Sequence, residues 1–117
     1  MTAYAIGILR GIQVGDDVVE YLRRIDATLS PYGGRFLVHG GPPPEVPEGS
    51  FDDTAFVLIG FDDLDAARAW YDSPGYRDIL ELRTRNSDST VLLVEGCDPD
   101  HRATDILAAV TGGAVTA

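Results

Sequence analysis

Apolar residues in this chain follow two periods, one of two residues and one of three to four, and these separate strands from helices. Residues 3–10 alternate: Tyr4, Ile6, Ile8 and Arg10 share one face, and Ala5, Gly7 and Leu9 the other. From Gly15 and the Asp16-Asp17 pair the period lengthens. Val18, Leu22, Ile25 and Leu29 recur at helical steps, Asp17 and Glu20 stand at the spacing of a capping pair, and Tyr32-Gly33-Gly34 ends the helix. Residues 35–39 predict a second strand with Arg35, Leu37 and His39 on one face, closed by Gly40-Gly41 and three prolines; 41–53 is a loop. Residues 54–61 form a third strand, apolar on both faces. Asp62 or Asp63 caps a helix from Leu64 to Asp72, with Ala67, Trp70 and Tyr71 near its inner side. Ser73-Pro74 breaks it and starts another, with Pro74 at the first position and Tyr76, Ile79, Leu80 and Arg83 along one side. Residues 90–95 are the last strand.

The order β-α-β-β-α-β predicts an α+β fold of the ferredoxin-like kind: a four-stranded antiparallel sheet with its helices on one face. That leaves the other face bare, although the third strand is apolar on both sides. A bare apolar sheet face marks an interface. A second copy packed face to face about a two-fold axis covers it, and a homodimer is expected. The alternative cover is the C-terminal segment. Asp98-Pro99 resembles a cap with a first-turn proline, and Ala103, Ile106, Leu107 and Val110 make a small stripe, so an extra helix is expected over 99–111 and a frayed tail over 112–117. The chain divides into a domain of residues 1–97 and an extension of residues 98–117.

Composition narrows the function. The 117 residues carry a formal net charge of −10, and all nine basic residues are arginine. Such a chain lacks the basic footprint for nucleic acid or an anionic membrane, and without lysine it has neither Schiff-base chemistry nor a Walker-type phosphate loop. Cys97 is alone, which excludes an internal disulfide and fits a reducing compartment. With no leader-like or 18-residue apolar run, the expectation is a cytoplasmic protein. Two histidines and one cysteine make a zinc site of the usual kind improbable, no EF-hand spacing occurs, and no metal or cofactor is expected.

Several blocks are family-like. They are Gly33-Gly34-Arg35-Phe36-Leu37-Val38-His39-Gly40-Gly41, Glu48-Gly49, Ala67-Arg68-Ala69-Trp70-Tyr71-Asp72-Ser73-Pro74 with Tyr76, and Arg83 followed by Val91-Leu92-Leu93-Val94-Glu95-Gly96. Over about residues 3–96 they resemble, in order and spacing, the bacterial family catalogued as domain of unknown function 1330. That family resembles the dimeric α+β barrel superfamily, which holds cofactor-free monooxygenases of antibiotic biosynthesis, chlorite dismutase relatives, muconolactone isomerase and ligand-binding transcription regulators. The resemblance implies the two-fold barrel and no particular activity. Position 39 departs from it, being histidine where the family often has arginine, and the segment from about residue 98 lies outside it.

Three groups carry candidate chemistry. His39 titrates near neutrality and suits proton transfer; a strand-end or interface histidine with only a hydrogen bond is the plainer reading. Trp70, Tyr71 and Tyr76 cluster at the helix break, where they wall a flat ligand or simply pack. Arg83, before the polar run Arg85-Asn86-Ser87-Asp88, lies on the apolar side of its helix and suits a carboxylate or an enolate; Arg35 is the other arginine placed for a buried or interfacial role. Two functions are therefore carried forward. One is a cofactor-independent enzyme on a small hydrophobic or enolisable metabolite, performing proton transfer, isomerisation, cyclisation or oxygenation, with His39, Tyr71 and Arg83 catalytic and Arg35, Trp70 and Tyr76 binding. The other is a non-catalytic ligand-binding or protein-interaction module with the C-terminal helix as adaptor.

Overall fold

A computed structural model describes residues 1–52 and 54–110. Four strands, β1 (Ala3–Arg10), β2 (Arg35–Val38), β3 (Thr54–Phe61) and β4 (Asp88–Glu95), form one antiparallel sheet in the order β2-β3-β1-β4. Three helices join them: α1 (Asp16–Leu29) after β1, then α2 (Leu64–Tyr71) and α3 (Pro74–Thr84) between β3 and β4. This is the expected α+β arrangement, with the second helical region split in two at Ser73.

The split has a local cause. Ser73 is extended; its hydroxyl accepts from the Tyr76 backbone N–H at 3.2 Å and donates to the Trp70 carbonyl at 2.7 Å. One side chain thus ends α2 and caps α3, while Pro74 fills a position whose N–H has no helical partner. Asp63 caps α2, accepting from the Ala66 N–H at 2.8 Å. The start of α1 differs from expectation. Its N-cap is Gly15 with no side-chain cap, and Asp17 turns away to accept from Arg85 Nη2 at 3.3 Å and Asn86 Nδ2 at 3.2 Å. A tertiary partner has replaced the local capping pair.

The pleat sorts residues cleanly. Ala3, Ala5, Gly7 and Leu9 face the helices with Val57, Ile59 and Phe61; Tyr4, Ile6 and Ile8 face the other way with Phe56 and Leu58. Tyr21, Ile25 and Leu29 of α1 join Ala67, Trp70, Tyr76 and Ile79 over the first face to make the buried core. On α1 the buried stripe is 21-25-29, one position off the aliphatic pattern, and Leu22 is exposed. The chain leaves α1 through a 3-10 turn and Gly33, whose φ of 69° is left-handed. Gly34 then lets β2 press against the core: a Cβ there would lie 2.7 Å from both Leu29 Cδ2 and Phe61 Cε1.

The opposite sheet face carries Leu37, Leu92 and Val94, exposed by 47, 45 and 38 %, so among the described residues it stands uncovered. The C-terminal segment starts later than expected. Asp98 makes a turn, its carboxylate accepting from the Asp100 N–H at 2.8 Å, and helical structure begins only with a 3-10 turn at Ala103–Ile106 followed by α4 (Leu107–Val110). Ile106 and Leu107 are exposed. Residue 111 and the expected tail over 112–117 lie outside the described residues.

Candidate functional site

A cavity of about 300 Å³ lies between the sheet and α1, closed at the inner end by α3. Small residues create it. Ala5, Gly7 and Ala55 form its floor, and a Cβ on Gly7 would come within 3.6 Å of Val57 Cβ. The helix above cannot settle further, because Tyr21, Ile25 and Leu29 already rest on the core. The rim is apolar: Ile12 and Val14 from the β1–α1 connection, and Val18 and Leu22 on α1. The exposed side of α1 that shifts its buried stripe is therefore the cavity's edge.

Polar groups converge at the inner end. Tyr21 Oη on α1 and Tyr76 Oη on α3 share a buried hydrogen bond of 2.7 Å. Arg83, two turns beyond Tyr76 on α3, is 7 % exposed; its Nη2 donates to Tyr76 Oη over 3.5 Å, and its guanidinium carbon lies 5.9 Å from the Tyr21 ring centre. Its Nη1 is buried and has no hydrogen-bond partner. No acidic residue lines the cavity, and Arg83 joins none of the ion pairs among the described residues. Burial, reinforced by Tyr76, pushes the Tyr21 phenol well above the ordinary tyrosine range, with only Arg83 pulling the other way. For Arg83, burial opposes the charge, but the neighbouring Tyr76 and Tyr21 more than offset it, and the guanidinium stays protonated.

The Arg83–Tyr76–Tyr21 series has a direction. Arginine only donates, so Tyr76 Oη accepts from Nη2 and can pass its own proton to Tyr21 Oη. The Tyr21 hydroxyl is then free to donate into the cavity. Both residues line the cavity, and Arg83 Nη1 is a buried donor there with no hydrogen-bond partner.

His39 stands at the other end. Its ring stacks on Phe36 at 4.2 Å between centres, and both line the cavity. The alternation that placed His39 beside Arg35 and Leu37 is broken by one extra residue in β2: Phe36 pairs with Ile59, yet Val38 pairs with Leu58. A bulge of this kind reverses the facing of everything after it. Arg35 and Leu37 stay on the bare side, near Gly60, and His39 turns to the helical side.

Of the residues singled out in the sequence, His39, Trp70, Tyr76 and Arg83 share the cavity wall. Trp70 serves as apolar wall, because its indole N–H already donates to Thr28 Oγ1 at 3.0 Å. Tyr71 is not on that wall. It packs on Tyr76 at 5.5 Å, lies 4.6 Å beneath the Arg77 guanidinium, and borders a shallower depression that shares Arg83 and Ser87 with the cavity. Arg35 is exposed on the opposite sheet face. Tyr21 was missed, although its spacing of four from Ile25 and eight from Leu29 marked it as inward-facing.

Among the described residues no group of three or more His, Cys, Asp or Glu is placed to hold a metal, and no helix is long and apolar enough to cross a membrane.

A family model described as "Domain of unknown function (DUF1330)" matches residues 2–97. No curated protein matches the sequence. Solved structures share the fold at low identity. A Rhodopseudomonas palustris protein of unknown function is 17 % identical with a TM-score of 0.59, over 84 % of each chain. A dimeric ferredoxin-like protein of unknown function from Jannaschia sp. is 15 % identical with a TM-score of 0.59, over 82 % of this chain and all of that one. SnoaB, a cofactor-independent oxygenase from Streptomyces nogalater, is 18 % identical with a TM-score of 0.55, over 86 % of this chain and 98 % of that one.

Proposed function

The chain belongs to the domain of unknown function 1330 family, and on that premise we propose that it is a cofactor-independent catalyst acting on a small hydrophobic metabolite with an enolisable centre. The observation that carries this reading is the buried, unpartnered Nη1 of Arg83, a residue that lines an apolar cavity. An unsatisfied buried charge-bearing donor is costly, and such groups persist where a ligand or a developing charge completes them.

In this reading each residue has a role. A carbonyl oxygen at the inner end accepts from Arg83 Nη1 and Tyr21 O–H. His39, at the solvent end, takes a proton from a carbon adjacent to that carbonyl. The C–H electron pair moves into the carbon framework and charge collects on the oxygen, where the two donors hold it. Return of the proton to a different carbon completes an isomerisation; dioxygen as co-reactant with the same carbanion leads to oxygenation. SnoaB, which shares the fold, is a cofactor-independent oxygenase. Tyr21 and Tyr76 supply the orienting phenols, and Tyr71 supports Tyr76 from behind.

The working unit in this proposal is a homodimer formed through the bare sheet face. The exposed Leu37, Leu92 and Val94 support it, as does the dimeric ferredoxin-like neighbour.

The test is deuterium uptake. Aryl ketones and hydroxyquinones are incubated in D2O with the wild-type protein, His39→Ala and Arg83→Gln, and exchange is followed by NMR. The wild type should accelerate exchange for at least one compound, and either substitution should lower that rate by about a hundredfold or more. Exchange unchanged in both variants, or no acceleration for any compound, overturns the proposal.

A further inference from the structure

A second feature of the same cavity narrows what it accepts; the inference rests on the reading above that the cavity is a ligand site. The chain carries 19 acidic residues, yet none of the described ones lines the cavity or pairs with Arg83. The ion-paired arginines among the described residues all sit on the surface, with side-chain exposures from 43 to 61 %. Even Asp88, which lines the neighbouring depression together with Arg83, pairs with Arg10 at 3.3 Å instead. A protein carboxylate beside Arg83 would neutralise the guanidinium and repel an incoming negative charge.

The remaining donors are specific in kind. Tyr76 takes Nη2, leaving Nη1 and the proton of the Tyr21 hydroxyl on two residues that both line the cavity. Two converging donors suit a planar oxygen group. A neutral carbonyl satisfies their hydrogen bonds and leaves the buried guanidinium without a counter-anion; a group that arrives already negative supplies both. The apolar walls and rim require the rest of the ligand to be hydrocarbon. The volume of about 300 Å³ is at the small end for ligand sites, which suits a compact ligand.

We infer that the cavity selects compact hydrophobic monoanions, a carboxylate or a preformed enolate on a small hydrocarbon body, with the anionic oxygens at Arg83 and Tyr21. Selection therefore acts on the charge of the ground state. A preformed enolate enters with the charge that His39 would otherwise have to generate, so that branch needs no proton removal inside.

Calorimetric titration of the full-length protein tests this with four probes: phenylacetate, its neutral amide, 1-phenylbutane-1,3-dione, and the neutral ketone 4-phenylbutan-2-one. Phenylacetate should bind about 30-fold more tightly than phenylacetamide, the difference expected for hydrogen bonds to a charged group. In Arg83→Gln that preference should fall to about threefold or less, and Tyr21→Phe, which keeps the ring, should lower it by about fivefold. Preference for phenylacetate over the dione assigns the carboxylate as source. Binding of the dione that strengthens as it ionises, with no parallel change for the neutral ketone, assigns the enolate. Equal affinity for the charged and neutral members of each pair overturns the inference and leaves the ligand site standing. Binding of none of the four, or anion preference unchanged in both variants, overturns the inference too, and the former result also removes the reading beneath it.

Discussion

Replacing Arg83 by methionine should make the protein more stable. In the native chain the guanidinium is buried, its Nη1 is unpartnered, its bond to Tyr76 is long at 3.5 Å, and no carboxylate compensates it. Methionine has a similar reach and no polar atom to satisfy. Removing the unsatisfied donor relieves about 1–3 kcal/mol. The weak bond to Tyr76 and the cation–π contact with Tyr21 at 5.9 Å together return about 1 kcal/mol to the native side. The net expectation is a gain of about 1 kcal/mol, in line with the range measured when buried charges are replaced by apolar side chains. For a domain of this size that is a rise in Tm of about 4 °C. Thermal and urea unfolding followed by circular dichroism measure it, at one fixed protein concentration because self-association shifts the midpoint. The same variant should lose the anion preference of the cavity. Destabilisation by more than about 1 kcal/mol would refute the reasoning, because Arg83 would then be holding the tyrosine pair in place and serving the fold.

Three further outcomes follow from the same structure. Gly34→Ala should cost about 1–3 kcal/mol in urea unfolding, because the added Cβ meets Leu29 and Phe61 at 2.7 Å; a neutral result would mean that β2 moves freely against the core. Tyr21 has its folded-state pKa raised above the unfolded value by burial, so its contribution is fully present below about pH 10 and declines above it, by about 1.4 kcal/mol per pH unit, as the unfolded chain ionises first. Tyr21→Phe should remove that part of the alkaline slope, and pH-dependent denaturation of the two proteins compares them directly. Leu92→Glu on the bare sheet face should shift the protein to monomer in light scattering while its circular dichroism stays native; an unchanged mass would place the interface elsewhere.

The element order was legible because each signal was local. Ser73-Pro74 is a cap and a first-turn proline wherever it occurs, and Gly33-Gly34 ends a helix for reasons internal to three residues. The site was only partly legible. Arg83 and Tyr76 were readable from their helical spacing on the inner side of α3. Tyr21 was hidden because the aliphatic residues of α1 trace a stripe through Leu22, and only the cavity beneath explains why Leu22 is left exposed. His39 was placed on the wrong face because strict alternation has no term for a bulge, which depends on how β2 meets β3. The cavity itself is a gap above Ala5, Gly7 and Ala55. Periodicity says which way those residues face, and it is silent on whether the helix above fills the space they leave.

The central claim is that Arg83 and Tyr21 form the polar end of a ligand site. A crystal structure of the protein with phenylacetate tests it most directly. The account predicts the carboxylate within hydrogen-bonding distance, about 2.7–3.2 Å, of both Arg83 Nη1 and Tyr21 Oη, with the ring against Gly7, Val57 and Ile25. Phenylacetate seated on the bare sheet face or against Pro44, Val46 and Phe51, with Arg83 Nη1 still unpartnered, would contradict it.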